Sequence, residues 1–389
     1  MRPGVEDAVI VARVETFVLG GRSVLVRVET DDGAVGWGEP IVEDWALATV
    51  AAVERLADIL IGMDADRITA AWHRLTRGGF YRGGPLMASA VAGLDQALWD
   101  LKGRRLGVPV HELLGGACRD RIRTYVHTNA LGRFGDPERA IAAVANGYTM
   151  VKLAPEYPVE FLESPAAIGR MRHDLLAVRA AVGDDVDIAI DLHGRMSLPQ
   201  SRRMLGMFEE VAVAFVEEPV RPEHTALLAD LVRRTSVPIA TGERLYSRTE
   251  AAPALEAGVA ILQPDPSHAG GITESFRIAA QAEQYDARIA PHCPLGPVAL
   301  AACLQLDFAI DNAYVQEQGL ALHDLSDPRL ELVVDPEPLR ARDGWIDRPT
   351  GPGLGIEVDE AVVRRIARMD RPAPELPVWS AADGSFAEW

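Results

Sequence analysis

Hydrophobic and polar positions change rhythm along the chain. The stretch "VETFVLGGRSVLVRVETDDGAVGWGEP", residues 14–40, alternates with a period of two, the pattern of half-buried strands, and its Asp-Asp-Gly marks a hairpin turn. Helical periodicity follows in "ATVAAVERLADILIG" and "MASAVAGLDQALWDLKG". From about residue 122 short β-branched runs alternate with longer amphipathic stretches such as "HTALLADLVRRTS" and "TESFRIAAQAEQYD". The runs are "RIRTYVHTN", "YTMVKLAP", "DIAIDLHG", "VAFVEEP", "PIATGER", "AILQPDP", "ARIAPHC" and "AYVQEQ". Eight strand–helix units predict a parallel (β/α)8 barrel behind an α+β domain. An open doubly wound sheet is the competing arrangement, but it wants a glycine-rich phosphate loop after its first strand, and none is present. The tail from about residue 326, rich in Pro, Gly and Asp, is expected to pack back on the first domain. The predicted organisation is therefore 1–120, 121–325 and 326–389.

Barrel enzymes place their chemistry at the C-terminal ends of the strands. The runs end on Lys152, Asp191, Glu217, Glu243, Asp265, His292 and Glu317. A single acid at such a place is more often a helix cap or a surface group. Asp191, Glu217 and Glu243, however, follow one another at 26-residue intervals, one strand–helix unit each. Three carboxylates crowded at one mouth repel unless a cation neutralises them, and hard oxygen donors without cysteine suit Mg²⁺ or Mn²⁺. Alternation in "AFVEEP" turns Glu217 inward with Phe215 and sends Glu218 to the rim; in "DIAIDLHGR" it turns Ala189, Asp191 and His193 inward together.

Asp265 and His292 end neighbouring strands, each after a proline. A carboxylate bonded to an imidazole fixes its tautomer and raises its basicity, as a general base needs. Cys293 beside it invites a thiol nucleophile, but alternation turns it away. His193 has no carboxylate orienter evident in the sequence and is expected to donate a proton or hydrogen-bond substrate beside the metal. Glu317 is expected to hold a substrate carboxylate if protonated, and Lys152 to be a charge partner for substrate rather than a Schiff base.

Composition narrows the partners. The formal net charge of −18 and the lack of a basic stripe exclude nucleic acid as an expected partner. An anionic substrate must then be drawn by a local cation. Glu6 and Asp7 stand where a signal peptide needs apolar residues, and "GPVALAACLQLDFAI" is broken by Gln305 and Asp307, so no membrane is expected. Three cysteines without a CxxC pair fit reduced thiols in a cytoplasm.

Several stretches closely resemble aldonate (sugar-acid) dehydratases of the mandelate racemase subgroup of the enolase superfamily. They are "DLHGRMS", "FVEEPV", "ATGERLYSR", "LQPDPSHAGGITE" and "APHCPLGPVALAACLQLDFA", with "GWGEP", "GFYRGGP", "ALWDLKG" and the final "GSFAEW" outside the barrel. The resemblance implies a modified (β/α)8 TIM barrel, class α/β, with an α+β capping domain completed by the C-terminal tail. It implies one Mg²⁺ per subunit on Asp191, Glu217 and Glu243. It further implies His292 as base with Asp265 in support, His193 as acid, and Glu317 stabilising the intermediate. Lys152, Arg195 and Glu317 are the expected contacts to a small-molecule sugar acid, in a homo-oligomer. The activity implied is loss of water from an aldonate, D-galactonate first, to a 2-keto-3-deoxy acid. The alternatives are a dehydratase for another aldonate, a racemase or epimerase, and, more remotely, a non-catalytic sugar-acid-binding protein. Two strand ends depart from the family pattern: "HTNALGR", and "KLAPEYP" in place of Lys-Leu-Asn-Gly. Ala154 also stands where the racemases carry the second lysine of Lys-x-Lys. These departures bear on which sugar fits, not on the metal or the base.

Overall fold

In the computed structural model, which describes residues 8–20, 22–369 and 378–388, the alternating stretch forms an antiparallel sheet in the order β1-β2-β3. Its strands are β1 (Val11–Leu19), β2 (Ser23–Thr30) and β3 (Val35–Gly38). Glu6, Asp7 and the closing Trp389, used in the sequence reading, lie outside the described residues. The helices α1 (Ala46–Leu60) and α3 (Pro85–Leu106) pack on this sheet, and α2 (Ile68–Arg77) packs on those two helices. Val11, Val26 and Val28 meet Val53, Leu56, Leu94, Leu98 and Leu101 there. A short helix α4 (Val110–Leu113) leads into the barrel.

The barrel strands are β4 (Arg121–His127), β5 (Met150–Leu153), β6 (Asp187–Asp191), β7 (Phe215–Glu217), β8 (Ile239–Thr241), β9 (Ile261–Leu262), β10 (Arg288–Ile289) and β11 (Gln316–Glu317). Between them run α5 (Pro137–Ala145), α6 (Pro165–Val182), α7 (Leu198–Val211), α8 (Leu228–Val232), α9 (Arg248–Glu256), α10 (Ile272–Glu283) and α11 (Pro297–Ala309). Short polar side chains punctuate the repeat: Asp136, Ser164, Ser197 and Ser247 each accept a hydrogen bond from the first turn of the helix they precede. Neighbouring strands pair in parallel from β4 to β10. The ring closes through β11 on β4 and a parallel bridge between Ile289 and Ala313.

Eight strand–helix units were expected; among the described residues the eighth strand has no α-helix directly after it. The chain instead makes 3₁₀ turns and an antiparallel pair, β12 (Ala341–Arg342) and β13 (Trp345–Asp347), and β13 pairs with the first residues of β4. The long β4 offers a free edge there, ahead of its barrel contacts, and β13 satisfies it. The tail therefore divides, and packing on the capping domain alone is not what it does. Helix α12 (Glu360–Ala367) does reach the capping domain, with Arg364 3.1 Å from Glu15 and Glu360 3.2 Å from Arg27. The last pair, β14 (Trp379–Ser380) and β15 (Phe386–Ala387), lies instead on loops at the barrel mouth. There Trp379 stacks 4.6 Å from the Arg195 guanidinium and Glu388 sits 2.9 Å from Arg221.

One apolar cluster takes a residue from every barrel strand or its immediate flank: Tyr125, Met150, Ala189, Phe215, Ala240, Ile261, Ala290 and Val315. A cluster so composed fills the barrel interior. Two residues further along each strand, on the same face, stand His127, Lys152, Asp191, Glu217, Gly242, Gln263, His292 and Glu317. The site is thus the polar layer above an apolar plug. No helix among the described residues is long and apolar enough to cross a membrane.

On α11, Asp307 is fully buried and neither carboxyl oxygen accepts a hydrogen bond from the protein. Burial pushes its carboxyl well above the usual range, against a weaker pull from Arg119. The folded chain keeps this proton where the unfolded chain loses it, so stability falls as pH rises from about 4 towards the raised value. Asp307→Asn removes that cost. Its thermal midpoint, relative to the parent, is expected to rise between pH 5 and pH 8 by roughly 2 °C or more, the response of a large domain to about 1 kcal/mol. A difference that stays flat across this range contradicts the assignment.

Candidate active site

Asp191, Glu217 and Glu243 converge so that ligand oxygens from all three lie within 4.8 Å of one another. Asp191 and Glu217 are the last residues of paired strands and face each other in register. Glu243 arrives differently. The inward position on its strand is Gly242, whose φ of 147° and 2.5 Å clearance from the Gln263 backbone N leave no room for a side chain, so the next residue supplies the acid. Asp265 and His292 likewise stand three residues beyond β9 and β10 rather than on them.

Lys152, fully buried, fills the centre of this mouth. Its Nζ lies 3.0 Å from Asp191 Oδ2, 2.7 Å from Glu217 Oε2 and 2.8 Å from Glu317 Oε1. Burial alone would strip its proton, but these three anions keep the ammonium well above its ordinary range. It serves the carboxylates as counter-ion. Glu317 is also 2.6 Å from His127 Nε2 and accepts the Cys293 backbone N–H at 3.1 Å. Burial would raise its carboxyl, but Lys152, His292 and His127 hold it far below the usual range. The expectation of a protonated Glu317 is therefore corrected: the cations around it, hidden in the sequence, keep it ionised.

His193 does have a carboxylate orienter. Its Nε2 is 3.0 Å from Asp191 Oδ2 and its backbone N donates to Asp191 Oδ1 at 3.0 Å. It reaches the site through a left-handed turn, φ 48°, past the strand end rather than by strand alternation. Glu218 is corrected too: it is buried and not at the rim, in a two-pronged pair with Arg244. Burial and Glu243 raise its carboxyl to about 7 against the pull of Arg244. Cys293 is buried, and its thiol lies beside that of Cys303 on α11. Arg195 is buried under Trp379 and donates to the Pro155 carbonyl.

His292 Nδ1 donates to Asp265 Oδ2 at 2.8 Å, which leaves Nε2 free to act; that atom lies 3.4 Å from Glu243 Oε2. Asp265 is itself fixed by the Ser267 backbone N–H at 2.6 Å. Burial lowers the imidazolium's pKa, but Glu243, Glu317 and Asp265 outweigh it and raise it well above the usual range. A divalent cation on Glu243 would offset the largest of these pulls and let Nε2 give up its proton and act as base.

The residues present fit a divalent cation. Asp191 and Glu217 share Lys152 with Glu317, Glu243 converges on the first two, and the buried Glu217 Oε1 accepts no hydrogen bond from the protein. An all-oxygen donor set beside it is the chemistry of Mg²⁺.

Several site residues were not singled out from sequence. His127 and Gln263 were findable, because they occupy the same inward register as the others. Both Gln263 amide atoms are buried without a protein hydrogen bond. Arg244 and His268 carry no such mark. The two departing strand ends are laced together: Asn129 accepts from Ala154 N at 2.8 Å and donates to Glu156 at 3.0 Å.

Residues 11–115 match the mandelate racemase / muconate lactonizing enzyme N-terminal domain, and residues 137–362 the enolase C-terminal domain-like family. A D-galactonate dehydratase of Ralstonia nicotianae is 46% identical over 388 residues, covering 97% of this chain and 100% of its own. One from Xanthomonas axonopodis pv. citri is 43% identical over 386 residues, with the same coverage. The crystal structure of a mandelate racemase/muconate lactonizing enzyme from Sulfitobacter sp. superposes with a TM-score of 0.84 at 32% identity, covering 94% of this chain and 97% of that one.

Proposed function

The chain belongs to the mandelate racemase / muconate lactonizing enzyme family of the enolase superfamily, and from that premise we propose that it dehydrates an aldonic acid, D-galactonate first, to the 2-keto-3-deoxy acid. The observation that carries the reading is the Asp265–His292 pair, whose working Nε2 faces the three-carboxylate cluster across 3.4 Å at Glu243. The galactonate dehydratases among its relatives set the substrate class.

Asp191, Glu217 and Glu243 would hold the metal, which we assign as Mg²⁺. When bound, it supplies the positive charge that stabilises the enediolate of a 2-hydroxy acid. His292 Nε2 takes the C2 proton, its tautomer fixed by Asp265. His193, oriented by Asp191, gives a proton to the departing 3-hydroxyl. Ketonisation of the enol completes the product. Lys152 would draw the substrate carboxylate end, with the ionised Glu317 holding Lys152 and His127 in place, and Arg195 with the Asn129–Glu156 unit would contact the sugar's far end. A racemase needs a second base on the opposite face of C2. Lys152 is held among three carboxylates and Ala154 offers no base, which supports elimination instead. The three free cysteines support a reducing, cytoplasmic setting, and we retain a homo-oligomer as the assembly.

The functional test is a panel of aldonic acids incubated with the Mg²⁺-loaded protein and assayed for 2-keto acid. D-Galactonate, or a close epimer, is expected to give product; a panel wholly inert overturns the reading. Chelation should abolish turnover and Mg²⁺ restore it. Glu217→Gln is expected to weaken Mg²⁺ binding by more than about 10-fold, the least that even an outer-shell loss typically costs. Glu218→Gln should instead cost about 1–3 kcal/mol of stability by removing the buried charge that Arg244 binds with two nitrogens, with Mg²⁺ affinity near the parent's. Calorimetric titration and thermal melts separate the two, and the reverse pattern contradicts the assignment of Glu217.

A further inference from the structure

The loop after β9, which carries Asp265, is stitched to the capping domain along its length. Gln96 on α3 donates to Pro266 O at 2.8 Å and Ser267 Oγ at 3.0 Å. Trp72 Nε1 donates to Gly270 O at 2.8 Å, and Asp95 accepts from Thr273 N at 2.9 Å. The loop after β10, which carries His292, is held by the same domain: Glu39 accepts from Gly296 N at 3.1 Å and Ala299 N at 2.8 Å. Segment 39–43 of the capping domain thus spans both loops that present the dyad.

His268 sits in the middle of this seam. Its ring is nearly buried, and its Nδ1 is 2.9 Å from Ser89 Oγ on α3. Its Nε2 faces two carboxylates, Glu43 Oε2 at 3.6 Å and Asp265 Oδ2 at 3.7 Å. A ring nitrogen between two anionic oxygens must carry its hydrogen, because a lone pair there would be repelled by both. Ser89 then anchors the far side of the ring. The Asp265 oxygen concerned is the one that His292 Nδ1 donates to, and the two imidazole rings lie 6.2 Å apart. Both Nε2 distances exceed a normal hydrogen bond, so a sub-ångström movement of the Glu43 segment decides which carboxylate receives the hydrogen.

We infer that His268 is a positioning residue that couples the capping-domain segment bearing Glu43 to the Asp265–His292 dyad, its Nε2 hydrogen aimed between the two carboxylates and able to bond either. When Glu43 takes that hydrogen, Asp265 Oδ2 is left to His292; when Glu43 withdraws, that oxygen is shared and orients His292 less firmly. The inference rests on the dehydratase reading for its kinetic consequence, but not for its structural one.

The test uses the full-length, Mg²⁺-loaded protein with ¹⁵N-labelled histidine. His268→Leu, Glu43→Gln and the double variant are compared by the imidazole N–H resonance of His292, which needs no substrate, and by kcat and KM for whichever aldonate the parent turns over. His268→Leu is expected to move the His292 resonance and lower kcat by about 10–100-fold, with KM and Mg²⁺ affinity close to the parent's. His268→Gln, which keeps an N–H donor at similar reach, should recover part of kcat. The double variant should be no worse than His268→Leu alone, because both changes cut one link. If His268→Leu fails to fold, Glu43→Gln must still move the resonance. An unmoved His292 resonance in either variant, or losses that simply add, overturns the coupling. A parent that turns over no aldonate overturns the dehydratase reading instead and leaves the resonance result to decide the coupling.

Discussion

His292→Asn is expected to lose both C2 proton exchange and dehydration, each by at least the roughly 10²–10⁴-fold that general acid–base catalysis contributes. The reason is geometric. His292 Nδ1 is committed to Asp265 at 2.8 Å, and Nε2 is the basic nitrogen left to face the carboxylate cluster. An asparagine can keep the hydrogen bond to Asp265 but cannot accept a carbon-bound proton. Mg²⁺ affinity and thermal midpoint should stay close to the parent's, because His292 is not among the three converging carboxylates. Measured by NMR in D₂O, a variant that still exchanges the C2 proton assigns the base elsewhere.

His193→Asn is expected to separate the two halves. Its base and its metal ligands remain, so deuterium should still enter C2 of unreacted substrate, while dehydration falls by about 10²–10⁴-fold. The position supports this split. His193 reaches Asp191 from a turn beyond the strand, whereas the Nε2 of His292 faces Glu243. The amide of asparagine can hydrogen-bond the 3-hydroxyl but cannot deliver a proton to it. A variant that dehydrates at the parent's rate removes His193 from the acid's role.

The contrast between what period and spacing revealed and what they hid follows from physical range. Strand alternation is local, and it carried Asp191 and Glu217 to one layer; Lys152, His292 and Glu317 followed from standing at the ends of their runs. The same rule, applied to the first and sixth strands, also marks His127 and Gln263. Alternation stops where the strand stops. It placed His193 by a strand pattern when a left-handed turn carries it, and it sent Glu218 to the rim when φ 42° folds it into a buried pair with Arg244. The ionised Glu317 depends on Lys152 and His127, more than 160 residues away, which no short-range pattern relates. The tail's division between the capping domain and the barrel mouth was likewise hidden, because Trp379 and Arg195 meet only in three dimensions.

The capping domain's grip on the Asp265 and His292 loops gives it a part in the chemistry as well as in enclosure. Phe80 and Tyr81 are about nine-tenths exposed, and the contacts made to the loops carrying the dyad come from segment 39–43 and α3.

The most direct measurement runs D-galactonate with the Mg²⁺-loaded protein in D₂O and follows product and residual substrate by NMR. Removal of the C2 proton and loss of the 3-hydroxyl give an enol that takes one solvent deuteron at C3. The account predicts a 2-keto-3-deoxy acid carrying a single deuterium at C3, formed only with the metal present; substrate recovered as its C2 epimer, with no keto acid, would contradict it.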